Sequence, residues 1–413
     1  MTMAADKQDK VLNVPTLRFP EFSGEYEITR IGKLTNKVGS GVTPKGGESI
    51  YTSEGHPFVR SQNVGNGQMF LDDIAYIDED THKKQIATEI KHGDVLLNIT
   101  GASIGRCCVA SDFVVGGNVN QHVCIVRPTK DVTSYYLCSL LLSDKGQKQI
   151  DSFQAGGNRQ GLNFEQIKSF KFSIPKLSEQ MKVSELLTLV DERITTQIRI
   201  INKLQSLMKG LNDYLQDSVP LSYSLSFSDI GEDYSGLSGK SAEDFRSGKP
   251  YITYVSIYAN NFVEDDCCGK VSVERGEKQN VVQKGDMLFT LSSETPEEVC
   301  YGAVYSGNST ETYLNSFCFG VRNTEEKVFS PYMAYFFNSS RFRREVYPLA
   351  QGSTRFNLQK SDFLQKQFSY PSIENQHRIF EILNAYDNKI KVENKILAHY
   401  QLQKDFLLRN LFI

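Results

Sequence analysis

The sequence predicts an α+β protein in which two mixed α/β globules, related by a pseudo-twofold, are separated by two long antiparallel coiled-coil helices. Two observations predict this architecture. First, short phrases recur in the same order after a lag of 192 to 196 residues, so that residues 57–59 (Pro-Phe-Val) return as residues 250–252 (Pro-Tyr-Ile). Second, each copy ends in a long pattern of helical period. Solenoid repeats have periods of about 20 to 50 residues, so this lag indicates a duplicated domain.

The repeat divides the chain of 413 residues into five segments. A lead-in is followed by a first globule, a central spacer helix, a second globule and a C-terminal spacer helix. We place these segments at residues 1–24, 25–177, 178–217, 218–373 and 374–413, respectively.

Within each globule we expect short strands joined by turns and variable loops. Runs such as residues 95–99 are rich in strand-type residues and bounded by glycine, which is typical of short strands joined by turns. Helices are predicted at residues 134–142, after Ser143, and at residues 331–338 and 341–347. Strands and helices do not alternate regularly, so the globules are mixed α and β rather than doubly wound.

The two helical segments carry apolar residues at a spacing of 4-3-4-3, as in a coiled-coil seam. Their polar positions coincide at the repeat lag, which suggests a device that fixes register. Mutual pairing is favoured over two unrelated amphipathic helices, each packed on its own globule. A helix of about 37 residues is roughly 55 Å long and would act as a spacer of fixed length. The first seam comprises Val183, Leu187, Val190, Ile194, Gln197, Ile201 and Leu204, and the second Ile379, Leu383, Tyr386, Ile390, Glu393 and Leu397.

Composition describes an ordinary soluble protein with no overall basic character. The formal net charge is −3 and the isoelectric point is near 6.1, so any nucleic-acid surface must be a local patch. No stretch resembles a signal peptide or a membrane span. The eight cysteines form no Cys-x-x-Cys pair, and we interpret them as buried free thiols of a cytoplasmic protein.

Motifs of catalysis are missing, which argues against an enzyme. There is no G-x-G-x-x-G after a strand, no H-E-x-x-H and no G-x-S-x-G, and the six histidines lack metal-ligand spacing. Residues 236–241 (Gly-Leu-Ser-Gly-Lys-Ser) imitate the end of a phosphate-binding loop, but Tyr234 occupies the position of its first glycine. We therefore expect a flexible loop there, and neither catalytic nor metal-binding residues in this chain.

Candidate residues for reading DNA are Arg, Asn, Gln and Tyr side chains in loops or at element ends. Gly156 and Gly352 each precede an arginine by three residues, and glycine permits close backbone approach. The alternative for both sites is a tight turn whose arginine forms a local salt bridge. Arg343 belongs to a basic cluster with Arg341 and Arg344 that suits phosphates. The candidates are Arg60, Gln62, Asn63, Arg106, Arg159 and Gln160 in the first globule, and Tyr254, Arg275, Arg343, Arg355 and Asn357 in the second.

Taken in order, these phrases resemble the specificity subunit of type I restriction–modification enzymes. Each long helix opens with Pro-x-x-x-Glu/Asn-Gln, and further similar phrases lie at residues 14–22, 93–96, 100–105, 120–122, 236–245 and 248–252. The second copy departs from the family pattern, because residues 291–298 stand where residues 100–105 would recur, and no clear counterpart is expected there.

The resemblance implies a non-catalytic subunit whose two target-recognition domains each read one half of a split site in double-stranded DNA. The helices would set the unread spacer and hold two modification subunits, which methylate adenine with S-adenosylmethionine. Two restriction subunits that use ATP and Mg²⁺ would complete the nuclease, and this subunit would carry no cofactor itself.

Two other classes remain as alternatives. The first is a coiled-coil scaffold with two protein-binding globules and no role in DNA binding, which the acidic isoelectric point favours slightly. The second is a stand-alone modification enzyme, which the missing catalytic motifs disfavour.

Overall fold

The computed structural model describes residues 13–44, 46, 50–154 and 161–413. The chain forms two compact units. Unit 1 comprises Met1–Arg199 and Lys395–Ile413, and unit 2 comprises Ile200–Asn394. The division falls inside both long helices, so each unit contains one globule and a part of each helix.

The described residues of unit 1 form nine strands and five short helices before the first long helix. The strands are β1 (Glu27–Arg30), β2 (Thr35–Ser40), β3 (His56–Val59), β4 (Ala75–Ile77), β5 (Val95–Asn98), β6 (Cys107–Val109), β7 (Asn118–Val119), β8 (Val123–Pro128) and β9 (Lys171–Ile174). The helices are α1 (Ile31–Leu34), α2 (Glu79–Lys84), α3 (Ser134–Leu142), α4 (Asp144–Ser152), α5 (Phe164–Ser169) and the long α6 (Leu177–Ser218).

The centre of unit 1 is an antiparallel sheet of order β2-β8-β5-β6. Every residue of β5 is buried, because both faces of the sheet are covered. Val95 and Leu97 face a core that includes α3, whereas Leu96 faces a second core with β3 and β7. Those two strands belong to a smaller sheet of order β4-β3-β7. A third, two-stranded sheet pairs β1 with β9.

Unit 2 contains thirteen named strands and five short helices before the second long helix. The strands are β10 (Leu221–Ser226), β11 (Gly231–Ser235), β12 (Lys249–Ile252), β13 (Phe262–Val263), β14 (Cys268–Val271), β15 (Met287–Thr290), β16 (Ser292–Ser293), β17 (Gly302–Tyr305), β18 (Tyr313–Leu314), β19 (Cys318–Asn323), β20 (Ala350–Gln351), β21 (Phe356–Leu358) and β22 (Gln367–Pro371). The helices are α7 (Phe227–Ile230), α8 (Tyr254–Ala259), α9 (Ser330–Phe336), α10 (Ser340–Val346), α11 (Lys360–Gln365) and the long α12 (Ile373–Asn410).

The sheets of unit 2 follow the plan of unit 1. The main sheet has the order β11-β19-β15-β17-β13, and its central strand β15 is buried at every residue, like β5. A second sheet has the order β14-β12-β18, and β10 pairs with β22. Unit 2 also has a sheet of order β16-β21-β20, and in the described part of unit 1 Thr100 forms a bridge with Gly161. The predicted mixed α/β globules and their helices are therefore confirmed.

An ion pair recurs at the start of both central strands. In unit 1 the Arg127 guanidinium donates from Nε and Nη2 to the Asp94 carboxylate at 2.7 and 2.8 Å. In unit 2 Arg322 donates to Asp286 at 3.1 and 2.9 Å. Both carboxylates are buried, and the glycine before each has a positive φ. The repeated Gly-Asp phrase thus encodes a turn and a buried charge that a bidentate arginine neutralises.

A buried glutamine fixes the start of each long helix. The Gln180 amide donates to the carbonyl of Pro175 at 3.0 Å and accepts from the backbone N–H of Thr133 at 3.1 Å. The side chain therefore ties the helix to the preceding strand and to the loop before α3. Gln376 does the same in unit 2, where it donates to Pro371 at 2.9 Å and Lys327 at 2.8 Å and accepts from Phe329 at 2.8 Å.

Within unit 1, α6 and α12 run antiparallel. The Asp191 carboxylate pairs with the Lys404 ammonium at 2.6 Å. Leu187, earlier in α6, and Leu408, later in α12, line one small cavity beside this pair.

Burial along the predicted seams is uneven. Gln197 and Glu393 are both buried, and Glu393 pairs with Lys389 at 2.6 Å. Tyr386 is 38% exposed, more than the other predicted seam residues. The next residue, Asp387, is half-buried, and burial raises the pKa of its carboxyl. The buried seam residues are Val183, Leu187, Val190, Gln197, Ile201, Ile379, Leu383, Ile390 and Glu393, and the half-buried ones are Ile194, Leu204 and Leu397.

All eight cysteines are free, and six of them are buried. Cys267 and Cys268 are partly exposed. None of the helices in the described part of the chain combines the length and the apolar character needed to cross a lipid bilayer.

Candidate nucleic-acid interface

A groove of about 450 Å³ opens on the surface of unit 2. Aromatic rings and apolar side chains form one part of it, and hydroxyl, amide and charged groups form the rest. We call it the unit 2 groove. Its lining consists of Tyr254, Val255, Tyr258, Ser292, Ser293, Glu294, Glu298, Asn315, Phe317 and Arg355.

A tight turn presents Phe317 at the edge of this groove. The Asn315 side-chain oxygen accepts from the backbone N–H of Phe317 at 2.9 Å, and the Asn315 carbonyl accepts from that of Cys318 at 3.0 Å. An Asx-type turn of this kind fixes the backbone while leaving the side chain at its tip free. Phe317 is 62% exposed as a result.

The same turn occurs in unit 1 with a different side chain at its tip. The Asn120 side-chain oxygen accepts from the backbone N–H of His122 at 3.0 Å, and the Asn120 carbonyl accepts from that of Val123 at 3.3 Å. The His122 ring also contacts the Thr100 hydroxyl at 2.6 Å and the Gln121 amide at 3.2 Å. The tip of the turn is therefore polar in unit 1 and apolar in unit 2.

Backbone hydrogen bonds around the two turns also correspond. Each turn is tied to the end of a strand, to the loop after the central strand and, through that loop, to a later segment. The corresponding bonds are Asn120 N to Val59 O at 2.9 Å and Asn315 N to Ile252 O at 3.0 Å; Ile99 N to His122 O at 3.0 Å and Leu291 N to Phe317 O at 2.9 Å; and Leu162 N to Ile99 O at 2.9 Å and Leu358 N to Leu291 O at 2.8 Å.

The first three candidates of unit 1 differ in what they offer to a ligand. Asn63 is 1% exposed and bonds to the Arg60 backbone, to Phe70 and to Asp73, so its assignment to DNA binding is corrected: it holds its own loop. Arg60 is half-buried and pairs with Asp73 at 3.1 Å. Gln62 is exposed and bonds to the same carboxylate. Among these three, Gln62 is the side chain that faces solvent.

The other candidates of unit 1 lie elsewhere. Arg106 is exposed and lines a separate cavity of about 600 Å³, together with Gln68 and Lys404. Arg159 and Gln160 lie outside the described residues.

In unit 2, three candidates lie in or beside the unit 2 groove. Tyr254 lines it with its ring, while its hydroxyl donates to the Ser292 carbonyl at 2.7 Å. Arg355 is exposed and lines the groove, and Asn357 is exposed in β21 opposite Ser292. Arg275 is also exposed, but it lies in the turn after β14 and not among the groove residues.

Arg343 does not present its guanidinium to a ligand, which corrects the sequence interpretation. Its two terminal nitrogens donate to the carbonyls of Cys300 at 2.9 Å and of Glu297 and Val299, both at 2.6 Å. The group lies 4.8 Å from the centre of the Tyr301 ring, and burial lowers its pKa. Arg343 therefore supports the loop before β17 from inside.

That loop is the counterpart of residues 100–105, which the sequence had not revealed. Asn98 N donates to Arg106 O at 2.8 Å in unit 1, and Thr290 N donates to Tyr301 O at 3.0 Å in unit 2. Both loops contain a 3-10 turn. In both, the last residue before the next strand's lead-in has a positive φ, which is 85° at Gly105 and 57° at Cys300. The longer loop and the replacement of glycine by cysteine conceal the correspondence in the sequence.

The charges of the unit 2 groove have both signs. Arg355 supplies a guanidinium, whereas Glu294 and Glu298 supply carboxylates. The Tyr258 hydroxyl donates to Glu298 at 2.6 Å, and this bond raises the pKa of Tyr258 to about 12. No group of three or more potential ligands in the described ranges could hold a metal ion.

The lysine of the imitation phosphate loop is not available to a phosphate. The Lys240 ammonium donates to Glu277 at 2.6 Å, and its side chain is 7% exposed. The same bond lowers the pKa of Glu277 to about 2. This ion pair ties residues 236–241 to the turn that contains Glu277.

The same module thus occurs twice in the chain, with corresponding backbone hydrogen bonds and different exposed side chains. Comparison with known families identifies this module. The type I restriction modification DNA specificity domain matches residues 23–206 and again residues 228–399. The chain therefore belongs to this family of DNA target-recognition proteins, and the resemblance to its specificity subunits is confirmed.

Individual relatives agree with this assignment. The chain is 22% identical over 413 residues to the putative type I restriction enzyme MjaX specificity subunit of Methanocaldococcus jannaschii. The match covers 91% of this chain and 90% of the relative. It is 24% identical over 294 residues to the type I restriction enzyme EcoKI specificity subunit of Escherichia coli strain K12, covering 64% and 61%.

Solved structures show the same fold. The type I restriction–modification S subunit from M. genitalium superposes with a TM-score of 0.55 at 14% identity, over 97% of this chain and 99% of that one. A second structure, from work on complex assembly and conformational transition of the type I system, superposes with a TM-score of 0.56 at 14% identity. The match covers 93% of this chain and 96% of that one.

Proposed function

We propose that this chain is the non-catalytic specificity subunit of a type I restriction–modification complex and that each unit reads one half of a bipartite DNA site. The observation that carries the proposal is the pair of corresponding turns. Their hydrogen bonds are kept, while the side chains at their tips, His122 and Phe317, differ in chemistry. A shared backbone with unlike exposed groups is what two different half-sites require.

The proposed complex has two modification subunits and two restriction subunits. S-adenosylmethionine, ATP and Mg²⁺ belong to those partners, and this chain binds none of them. In unit 2, α6 carries three exposed apolar residues at intervals of seven: Ile200 at 40%, Leu207 at 52% and Tyr214 at 69%. An apolar stripe of this spacing on a helix face suits docking of a partner helix, so we assign it to a modification subunit.

Binding of the complex with its modification subunit to duplex DNA tests the proposal. We expect affinity to fall with salt and to depend on two separated half-sites. Arg355→Ala should reduce discrimination about tenfold in one half only, whereas Arg344→Ala, exposed on α10, should leave it unchanged. Leu207→Glu should prevent assembly with the modification subunit.

Binding with neither salt dependence nor sequence preference would contradict the proposal. It would favour the second candidate, a scaffold whose two globules bind proteins, for which the mixed charge of the unit 2 groove is the supporting observation. That candidate predicts that Arg355→Ala alters a protein contact and no DNA contact.

A further inference from the structure

Two apolar side chains that line the unit 2 groove are largely exposed to solvent. Phe317 is 62% exposed at the tip of a turn that two hydrogen bonds fix. Val255 lines the same groove and is 67% exposed. Together these side chains present apolar area that a ligand bound in the groove would remove from water.

Unit 1 has polar groups at the corresponding positions. His122 stands at the tip of the turn and contacts the Thr100 hydroxyl at 2.6 Å. Gln62 lies three residues after the end of β3, just as Val255 lies three residues after the end of β12. The apolar pair is therefore specific to unit 2 and is not required by the shared fold.

The remaining groups of the groove indicate what binds beside this pair. Glu294 and Glu298 would repel the phosphates of a DNA backbone, so the groove does not suit phosphate contacts. Base edges in the major groove offer acceptors on guanine for Arg355, an amino group on cytosine for a carboxylate, and a 5-methyl group on thymine for an apolar side chain. All three partners are present in this groove.

We propose that Val255 and Phe317 form a methyl-sensing corner that contacts the 5-methyl group of thymine in the half-site read by unit 2. This inference depends on the proposed function. Unit 1 reads its half-site without such a contact, because its corresponding residues are polar.

Uracil substitution in the DNA tests the corner directly, because uracil pairs as thymine does but lacks the methyl group. The site is first mapped from adenines methylated by the complex with its modification subunit. Each thymine in both halves is then replaced singly by uracil, and binding of the complex is measured. We expect about a fourfold loss of affinity at one or two positions, all in the same half, as for the loss of one buried methyl group.

Variants connect the effect to the two residues. Phe317→Ala and Val255→Ala should each bind thymine and uracil equally at those positions, and so should Phe317→His, which carries the unit 1 residue. Tyr347→Ala is the matched control, because Tyr347 is 47% exposed in unit 2 but lies outside the groove. It should retain the fourfold difference.

Two results would overturn the inference while leaving the proposed function intact. One is sequence-specific binding in which no uracil weakens affinity. The other is a thymine preference that persists in Phe317→Ala and Val255→Ala. Loss of all sequence preference in the unaltered complex would instead contradict the proposed function itself.

Discussion

At the scale of single residues, Cys300 and Arg343 act together. Cys300 has a φ of 57°, a left-handed conformation that costs a non-glycine residue about 1–2 kcal/mol. Arg343 offsets this cost, because its guanidinium donates to the carbonyls of Cys300, Val299 and Glu297. In unit 1, Gln147 donates to the carbonyl of Gly105 at 3.2 Å, and glycine adopts positive φ without strain.

We therefore predict that Arg343→Ala lowers the free energy of unfolding by about 3 kcal/mol, since it leaves partly buried carbonyls without a charged donor. Urea unfolding measures the change. Arg344→Ala, on the exposed side of α10, should change it by less than about 0.5 kcal/mol. If Arg343→Ala instead weakened DNA binding at unchanged stability, the original assignment to phosphate contact would be restored.

The sequence predicted which residue types could bind DNA but not which of these side chains would be exposed. The side chains of Arg355 and Gln62 are exposed to solvent. Those of Arg343 and Asn63 instead form hydrogen bonds within their own units. The residue types do not distinguish the exposed pair from the internally hydrogen-bonded pair, because each consists of one arginine and one amide side chain. The direction of each side chain depends on tertiary contacts that are distant in sequence, such as the one between Arg343 and Glu297.

At the scale of elements, the glutamine at the start of each long helix connects three parts of its unit. Gln376 is fully buried, and its amide hydrogen bonds are those described for the helix start. The amide fits this position because it both donates and accepts. A carboxylate at the same place would face two carbonyl oxygens and could not donate to them.

We predict that Gln376→Ala lowers the free energy of unfolding by about 2 kcal/mol and that Gln376→Glu lowers it more, because a buried charge would be added to the lost bonds. Urea unfolding at pH 7 compares the two. Glu381→Ala, exposed on the same helix, serves as the control. Equal stability of Gln376→Glu and the unaltered protein would show that the amide hydrogens are dispensable.

The elements themselves were largely predictable, because they follow from local periodicity. Helices expected at residues 134–142 and 341–347 correspond to α3 and α10. The strand-type run at residues 95–99 contains β5. The pairing of that strand between β8 and β6 was not predictable, since it joins segments that are distant in sequence. Tyr386 fits the heptad spacing but is 38% exposed, whereas the next residue, Asp387, is half-buried.

At the scale of the whole molecule, the proposed function implies that the length of the two long helices sets the distance between the DNA half-sites. Both α6 and α12 continue from one unit into the other, since the division of the chain falls after Arg199 and after Asn394. An α-helix rises about 1.5 Å per residue, so a heptad adds about 10 Å. Stacked base pairs are about 3.4 Å apart. One heptad thus corresponds to about three base pairs.

We predict that inserting seven residues after Arg199 and after Asn394 together lengthens the unread spacer by about three base pairs and leaves both half-sites unchanged. A heptad preserves the 4-3-4-3 phase of both seams, so the helices retain their pairing. The measurement is a map of methylated adenines in DNA modified by the assembled complex. Insertion into α6 alone is the control, and it should impair assembly because only one seam is lengthened. An unchanged spacer in the double insertion would mean that helix length does not set the distance between the half-sites, and that DNA bending or the partner subunits set it instead.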